Sequence, residues 1–157
     1  MENSMNKELL EFFNKQINHE FCLSYFYFAL SIYFDKIAMN GFSKYMKHRA
    51  SVNLLCAQSI YDYLILRNEK FVFLYIEKPD IKWKNISGIF SLILDNEKFI
   101  CEKIRKICDF ANEINDKGAL EFAFKILQNK EKNLIMTKKL VLKMKSSTYD
   151  FAAISRY

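Results

Sequence analysis

Glycine and proline are nearly missing from this chain: three and one among 157 residues. A β-sandwich or a doubly wound α/β fold spends many more turn residues than that, so long helices with few breaks are expected. No run of about 18 apolar residues occurs, which leaves no membrane span. The four cysteines, Cys22, Cys56, Cys101 and Cys108, form no C-x-x-C pair, and the polar start Met1-Glu2-Asn3-Ser4 does not read as a secretory leader. Free thiols in a cytoplasmic protein are the expectation. Also absent are a Gly-rich phosphate loop and a Ser/His/Asp set.

What the chain does have is apolar bulk. Hydrophobic residues make up 51% and aromatics 16%, enough for one packed domain and too much for a disordered chain. The formal net charge is +6. The lysines are spread over all the helical segments, with no run of five like charges. Nucleic acid is therefore not expected as a partner, since no clustered basic face with interleaved aromatics is evident.

Apolar spacing predicts four long helices, at about 5–35, 41–69, 85–114 and 116–145, with a short fifth at about 148–156. The first carries Leu10, Phe13, Ile17, Phe21, Ser24, Phe28 and Ser31 on its inner stripe, and Ser4 with Lys7 and Glu8 is a plausible start. The second carries Phe42, Tyr45, Met46, Asn53, Cys56, Ile60, Tyr63 and Leu64. The third carries Phe90, Ile93, Glu97, Ile100, Ile104, Ile107, Cys108 and Ala111. The fourth carries Phe122, Ile126, Asn129, Asn133, Met136 and Leu140, with Asp116 as its N-cap. Asn40-Gly41 and Asn115 to Gly118 mark turns.

Connection lengths set the topology. The first and third links are short, so each closes an antiparallel hairpin. The middle link, with Pro79 and Trp83, has roughly 15–17 residues and reaches about 50 Å when extended. A helix of about 27 residues is roughly 40 Å long. The middle link can thus run the length of a bundle, which sets the second and third helices parallel. That is an all-α four-helix bundle with one long crossover.

Two carboxylates stand on apolar stripes. Glu20 falls between Ile17 and Ser24, and Glu97 between Ile93 and Ile100. A buried ionised glutamate is costly unless paired or metal-bound. Two of them, mid-helix on separate helices, are half of a di-iron carboxylate site. The other half should be Glu-x-x-His on the second helix, where this chain has Asn53 and Cys56. Read from the residues alone, this is a polar pocket that either holds a metal or pairs internally.

At these residues the chain resembles the bacterial non-haem ferritins. The resemblance rests on Phe13-Asn14-Lys15-Gln16-Ile17-Asn18-His19-Glu20-Phe21, on Gly41-Phe42 through His48, on Ser87-Gly88-Ile89-Phe90 and on Glu97-Lys98-Phe99-Ile100. It implies a single ferritin-like domain over residues 1–157 and a non-haem iron centre. Glu20 and Glu97 would be its ligands, and Tyr27 the tyrosine that hydrogen-bonds it. Asn53 and Cys56 stand where the family has Glu and His, and Asn129 where it has Gln. Of the family's third iron site, read here as Val52, Gln128, Glu131 and Lys132, only Glu131 keeps its charge. The implied function is an iron-storage or iron-handling shell subunit with weak or lost ferroxidase activity. The alternatives are a structural subunit without metal, or a basic bundle binding polyanions. Implied partners are copies of itself in a twenty-four-subunit shell, or an active ferritin subunit with which it co-assembles. Haem is not expected, because Leu54 stands where haem-binding relatives carry Met. The second and fourth helices line the cavity of such shells, and Lys125, Lys130, Lys132, Lys138, Lys139 and Lys143 would make that lining basic.

Overall fold

The computed structural model describes residues 4–80 and 85–145, and among them four helices and no strand occur. They are α1 (Lys7–Lys36), α2 (Asn40–Leu66), α3 (Ile86–Glu113) and α4 (Lys117–Lys145). The expected fifth helix and Trp83 lie outside the described residues. Contacts divide the chain into two units, residues up to 81 and residues 82–148. The first is the α1–α2 hairpin with the segment that follows it; the second is the α3–α4 hairpin. No helix among the described residues is long and apolar enough to cross a membrane.

The caps show why the helices start and stop where they do. Asn6, not Ser4, opens α1: its side-chain oxygen accepts from the amides of Glu8 at 2.9 Å and Leu9 at 3.3 Å. Asn85 opens α3 by accepting from Gly88 at 2.6 Å, and Asp116 opens α4 by accepting from Ala119 at 3.1 Å. The first three helices end in one common way. A left-handed residue, Ala38, Asn68 or Asn115, follows the helix, and the next amide reaches back to the carbonyl of Phe34, Leu64 or Ala111 at 2.8–2.9 Å. None of the three is glycine. Gly41 and Gly118, expected as turn residues, instead sit in the first turns of α2 and α4.

Each hairpin has its own apolar seam. In the first, Leu9, Phe13, Ile17, Tyr27, Leu30 and Phe34 are buried on α1, and Phe42, Met46, Ile60 and Leu64 on α2. Phe34 packs on Phe42 with ring centres 5.2 Å apart, and Phe13 on Tyr63 at 5.6 Å. Phe28, expected inside, is exposed. In the second, α3 buries the eight residues its spacing predicts. On α4 the buried face is Ala119, Ala123, Leu127, Lys130, Leu134, Thr137, Val141 and Met144. The predicted α4 stripe is therefore turned away by one residue. Its apolar members are only half-buried or exposed, while the small alanines near the turn let the two helices approach closely.

The start of the crossover is held by side chains. Residues 69–80 form no helix or strand, but two asparagines one turn apart on α1 pair with their backbone. Asn14 accepts from the Val72 amide at 2.7 Å and donates to the Lys70 carbonyl at 3.3 Å. Asn18 accepts from the Leu74 amide and donates to the Val72 carbonyl, both at 3.2 Å. A helix thereby reads an extended chain at the two-residue period of a strand. Phe71 lies edge-on to Phe21 and Tyr61, while Phe73 and Tyr75 stay exposed.

At the α1–α2 turn, Lys47 reaches Asp35 at 3.1 Å. The neighbouring Ser43 hydroxyl and then the Lys47 ammonium hold the Asp35 carboxyl below its ordinary value. A depressed carboxyl stabilises the fold above its unfolded pKa of about 3.9 and loses that contribution as the pH falls through its folded value. Asp35→Asn should therefore lower the melting temperature at neutral pH and leave it nearly unchanged at the acid end, where Asp35 is protonated, so that the two curves converge as the pH falls. Curves that superimpose over the whole range would show that Asp35 contributes nothing.

Candidate metal centre

Glu20 lies at mid-height on α1 and is fully buried. Both of its oxygens are taken within its own hairpin. Gln16, one turn earlier, donates its side-chain amide to Oε1 at 3.0 Å, and Asn53 on α2 donates to Oε2 at 2.7 Å. The Asn53 carbonyl oxygen is buried and accepts no hydrogen bond among the described residues. Cys56, one turn further, is only half-buried.

Tyr27 is buried on the same face of α1, with the Arg49 guanidinium 5.2 Å from its ring centre. Arg49 is itself buried, one turn before Asn53 on α2. Nothing in the apolar spacing singled it out, because a lone arginine in a helical stretch reads as surface.

In the second hairpin Glu97 is buried on α3, as predicted, and the α4 residue on the buried face is Lys130. Both charges act on the thiol of Cys101, one turn beyond Glu97, whose pKa is raised chiefly by its burial. Asn129, expected to point inward, is exposed, and Asn133 is half-buried. Glu131 is turned to the side, where Arg105 donates to it at 3.0 Å.

The buried charged side chains among the described residues are thus Glu20 and Arg49 in the first hairpin, and Glu97 and Lys130 in the second. Cys101 and Cys108 are buried thiols, both raised by desolvation, as buried small hydrophobes are. No group of three or more His, Cys, Asp or Glu side chains among the described residues is placed to hold a metal ion.

These residues do not fit a di-iron centre. Such a centre needs several carboxylate oxygens facing the metals, with imidazole beside them. Glu20 already spends both oxygens on amide donors, Asn53 offers one neutral oxygen, and each hairpin adds a buried cation. A cation repels a metal ion and neutralises the charge that would have held it.

Comparison with known proteins places this geometry. A family model for the ferritin-like domain matches residues 10–147. A bacterial non-heme ferritin of Staphylococcus saprophyticus is 30% identical over 118 residues, covering 75% of this chain and 71% of that protein. That of Staphylococcus aureus is 27% identical over the same length. Among solved structures, an open-pore ferritin from Archaeoglobus fulgidus superposes with a TM-score of 0.91 over 96% of this chain and 92% of its own, at 22% identity. A humanized archaeal ferritin gives 0.93 over 98% and 96%, again at 22%. The fold is the ferritin-like four-helix bundle with its long crossover, and by the reach of the family model and its staphylococcal relative the chain belongs to the ferritin family.

Proposed function

We propose that this chain is a cytoplasmic ferritin shell subunit that handles iron as part of an assembly but does not oxidise it in its own bundle. One observation carries this reading. In each hairpin the buried formal charge closes to zero without metal, Glu20 against Arg49 and Glu97 against Lys130. Removing charges from water is costly, and a carboxylate is left uncompensated in a core only where a cation will supply the balance. Here side chains supply it. The amide donors on Glu20 add two charge-assisted hydrogen bonds, so that its oxygens need no metal either.

Glu20, Glu97 and Tyr27 are in this reading retained family positions without their family role. Asn53 becomes a hydrogen-bond donor to Glu20, Cys56 a half-buried thiol, and Lys130, in place of Asn129, the inward residue of the fourth helix. A homo-oligomeric twenty-four-subunit shell, without haem, belongs to the same reading.

The test is aerobic Fe(II) oxidation, with iron per subunit counted on the same sizing-column peak. Oxidation at the buffer rate on a shell-sized particle is the expected result. Rapid oxidation with iron bound in proportion to subunits would overturn the reading, and a monomer-sized peak would overturn its shell.

A further inference from the structure

The lysines are spread along the sequence, but the net charge is not. Residues 1–81 hold nine Lys and Arg against nine Asp and Glu. In α4 alone, eight lysines stand against Glu121 and Glu131, leaving +6, which equals the formal net charge of the whole chain. Lys130 is buried; the other seven lysines of α4 are exposed.

Their spacing is ordered. Lys125, Lys132 and Lys139 recur every seven residues, which keeps them on nearly one line along the helix, with successive Cα atoms about 10.5 Å apart. Lys143 continues the line one turn later. Gln128 and Asn129, both exposed and polar, flank it. Of the two acids of α4, Glu131 faces Arg105 at 3.0 Å, and Glu121 pairs with Lys125 at 3.6 Å, an exposed pair that holds the lysine only weakly.

The line also has a chemical character. α4 contains no arginine, so it offers point charges and no planar forks. Its exposed aromatic, Phe124, lies about 100° around the helix from Lys125, so no ring is available for bases to stack on. A row of ammonium groups without a stacking platform suits an unbranched chain of phosphates better than a nucleic acid.

We propose that the exposed face of α4 binds inorganic polyphosphate through Lys125, Lys132, Lys139 and Lys143. The proposal is independent of whether the subunit oxidises iron. Binding is electrostatic, so a fourfold rise in salt should weaken it roughly fifty-fold, taking about 0.7 released counter-ions per contact at four contacts.

The experiment uses the assembled full-length protein and end-labelled inorganic polyphosphate, followed by fluorescence anisotropy. Lys132→Gln with Lys139→Gln removes two charges at exposed positions with a good helix former. Lys15→Gln with Lys78→Gln removes two exposed lysines from the neutral half and is the control. The α4 pair should weaken binding on the order of tenfold, with the control unchanged and circular dichroism identical in all three. Absence of binding by the unaltered protein, or an equal loss in the control, would overturn the proposal. So would tighter binding of single-stranded DNA of matched charge, which would make the face a nucleic-acid surface.

Discussion

Asn53→Glu should lower the stability of the metal-free protein by about 3–5 kcal/mol, the usual cost of leaving a buried charge uncompensated. Asn53 now donates to Glu20 across 2.7 Å, and both side chains are essentially inaccessible to solvent. A carboxylate in its place sets two like charges at hydrogen-bonding distance, and both cannot stay ionised there. One would take up a proton on folding, so the penalty should shrink as the pH is lowered. Urea denaturation at two pH values reads both effects. Adding Cys56→His supplies an imidazole one turn further along the same helix. In that double variant Zn(II) should recover most of the lost stability, and aerobic Fe(II) oxidation should rise above the buffer rate. If Asn53→Glu were as stable as the unaltered protein without metal, the internal charge balance would not be what governs this core.

The second large effect concerns the crossover. Asn14→Ala together with Asn18→Ala should cost about 2–4 kcal/mol, because the four hydrogen bonds to the crossover vanish and the part-buried amides of Val72 and Leu74 lose their partners. The apolar seam between α1 and α2 is untouched by these changes, so helix content should survive while the segment from Lys70 to Tyr75 is released. Limited proteolysis separates the two outcomes. Faster cleavage within that segment, at nearly unchanged circular dichroism, is expected. Cleavage no faster than in the unaltered protein would mean that Phe71, through its rings on Phe21 and Tyr61, holds the segment without the asparagines.

How far the sequence could be read differs from helix to helix, and the reasons are physical. On α3 the apolar residues concentrate on one side, with Leu92 and Phe99 the exposed exceptions, and all eight predicted positions are buried. On α4 apolar residues fall almost all round: Phe124, Ile135, Met136 and Leu142 are exposed, while the buried face is built from alanines, leucines, a threonine and a valine. Periodicity cannot choose between two apolar faces. Bulk suggested the face with Phe122, Ile126 and Leu140, and so Lys130 was counted among solvent lysines and Asn129 among inward residues. On α1, Glu20 was legible because a carboxylate interrupts its stripe. Asn14 and Asn18 were not, because their partners are backbone groups 54 to 58 residues away, and a backbone group leaves no trace in a sequence. The helix ends differ from the expected ones by up to three residues for a similar reason: the left-handed turns fall on Ala38, Asn68 and Asn115 and not on glycine.

In the shell proposed above, the lysine line of α4 acts at the scale of the whole assembly. Symmetry repeats every surface of a subunit once per copy, so an assembly of like chains multiplies the charge of α4 with nothing in the other hairpin to offset it. Small anions must gather wherever those faces are presented, and their crowding carries an osmotic cost that grows with the number of copies and shrinks as ionic strength rises. In the proposed shell, the ease with which the subunits close is thereby tied to the salt around them and to whatever multivalent anion can replace many small ones.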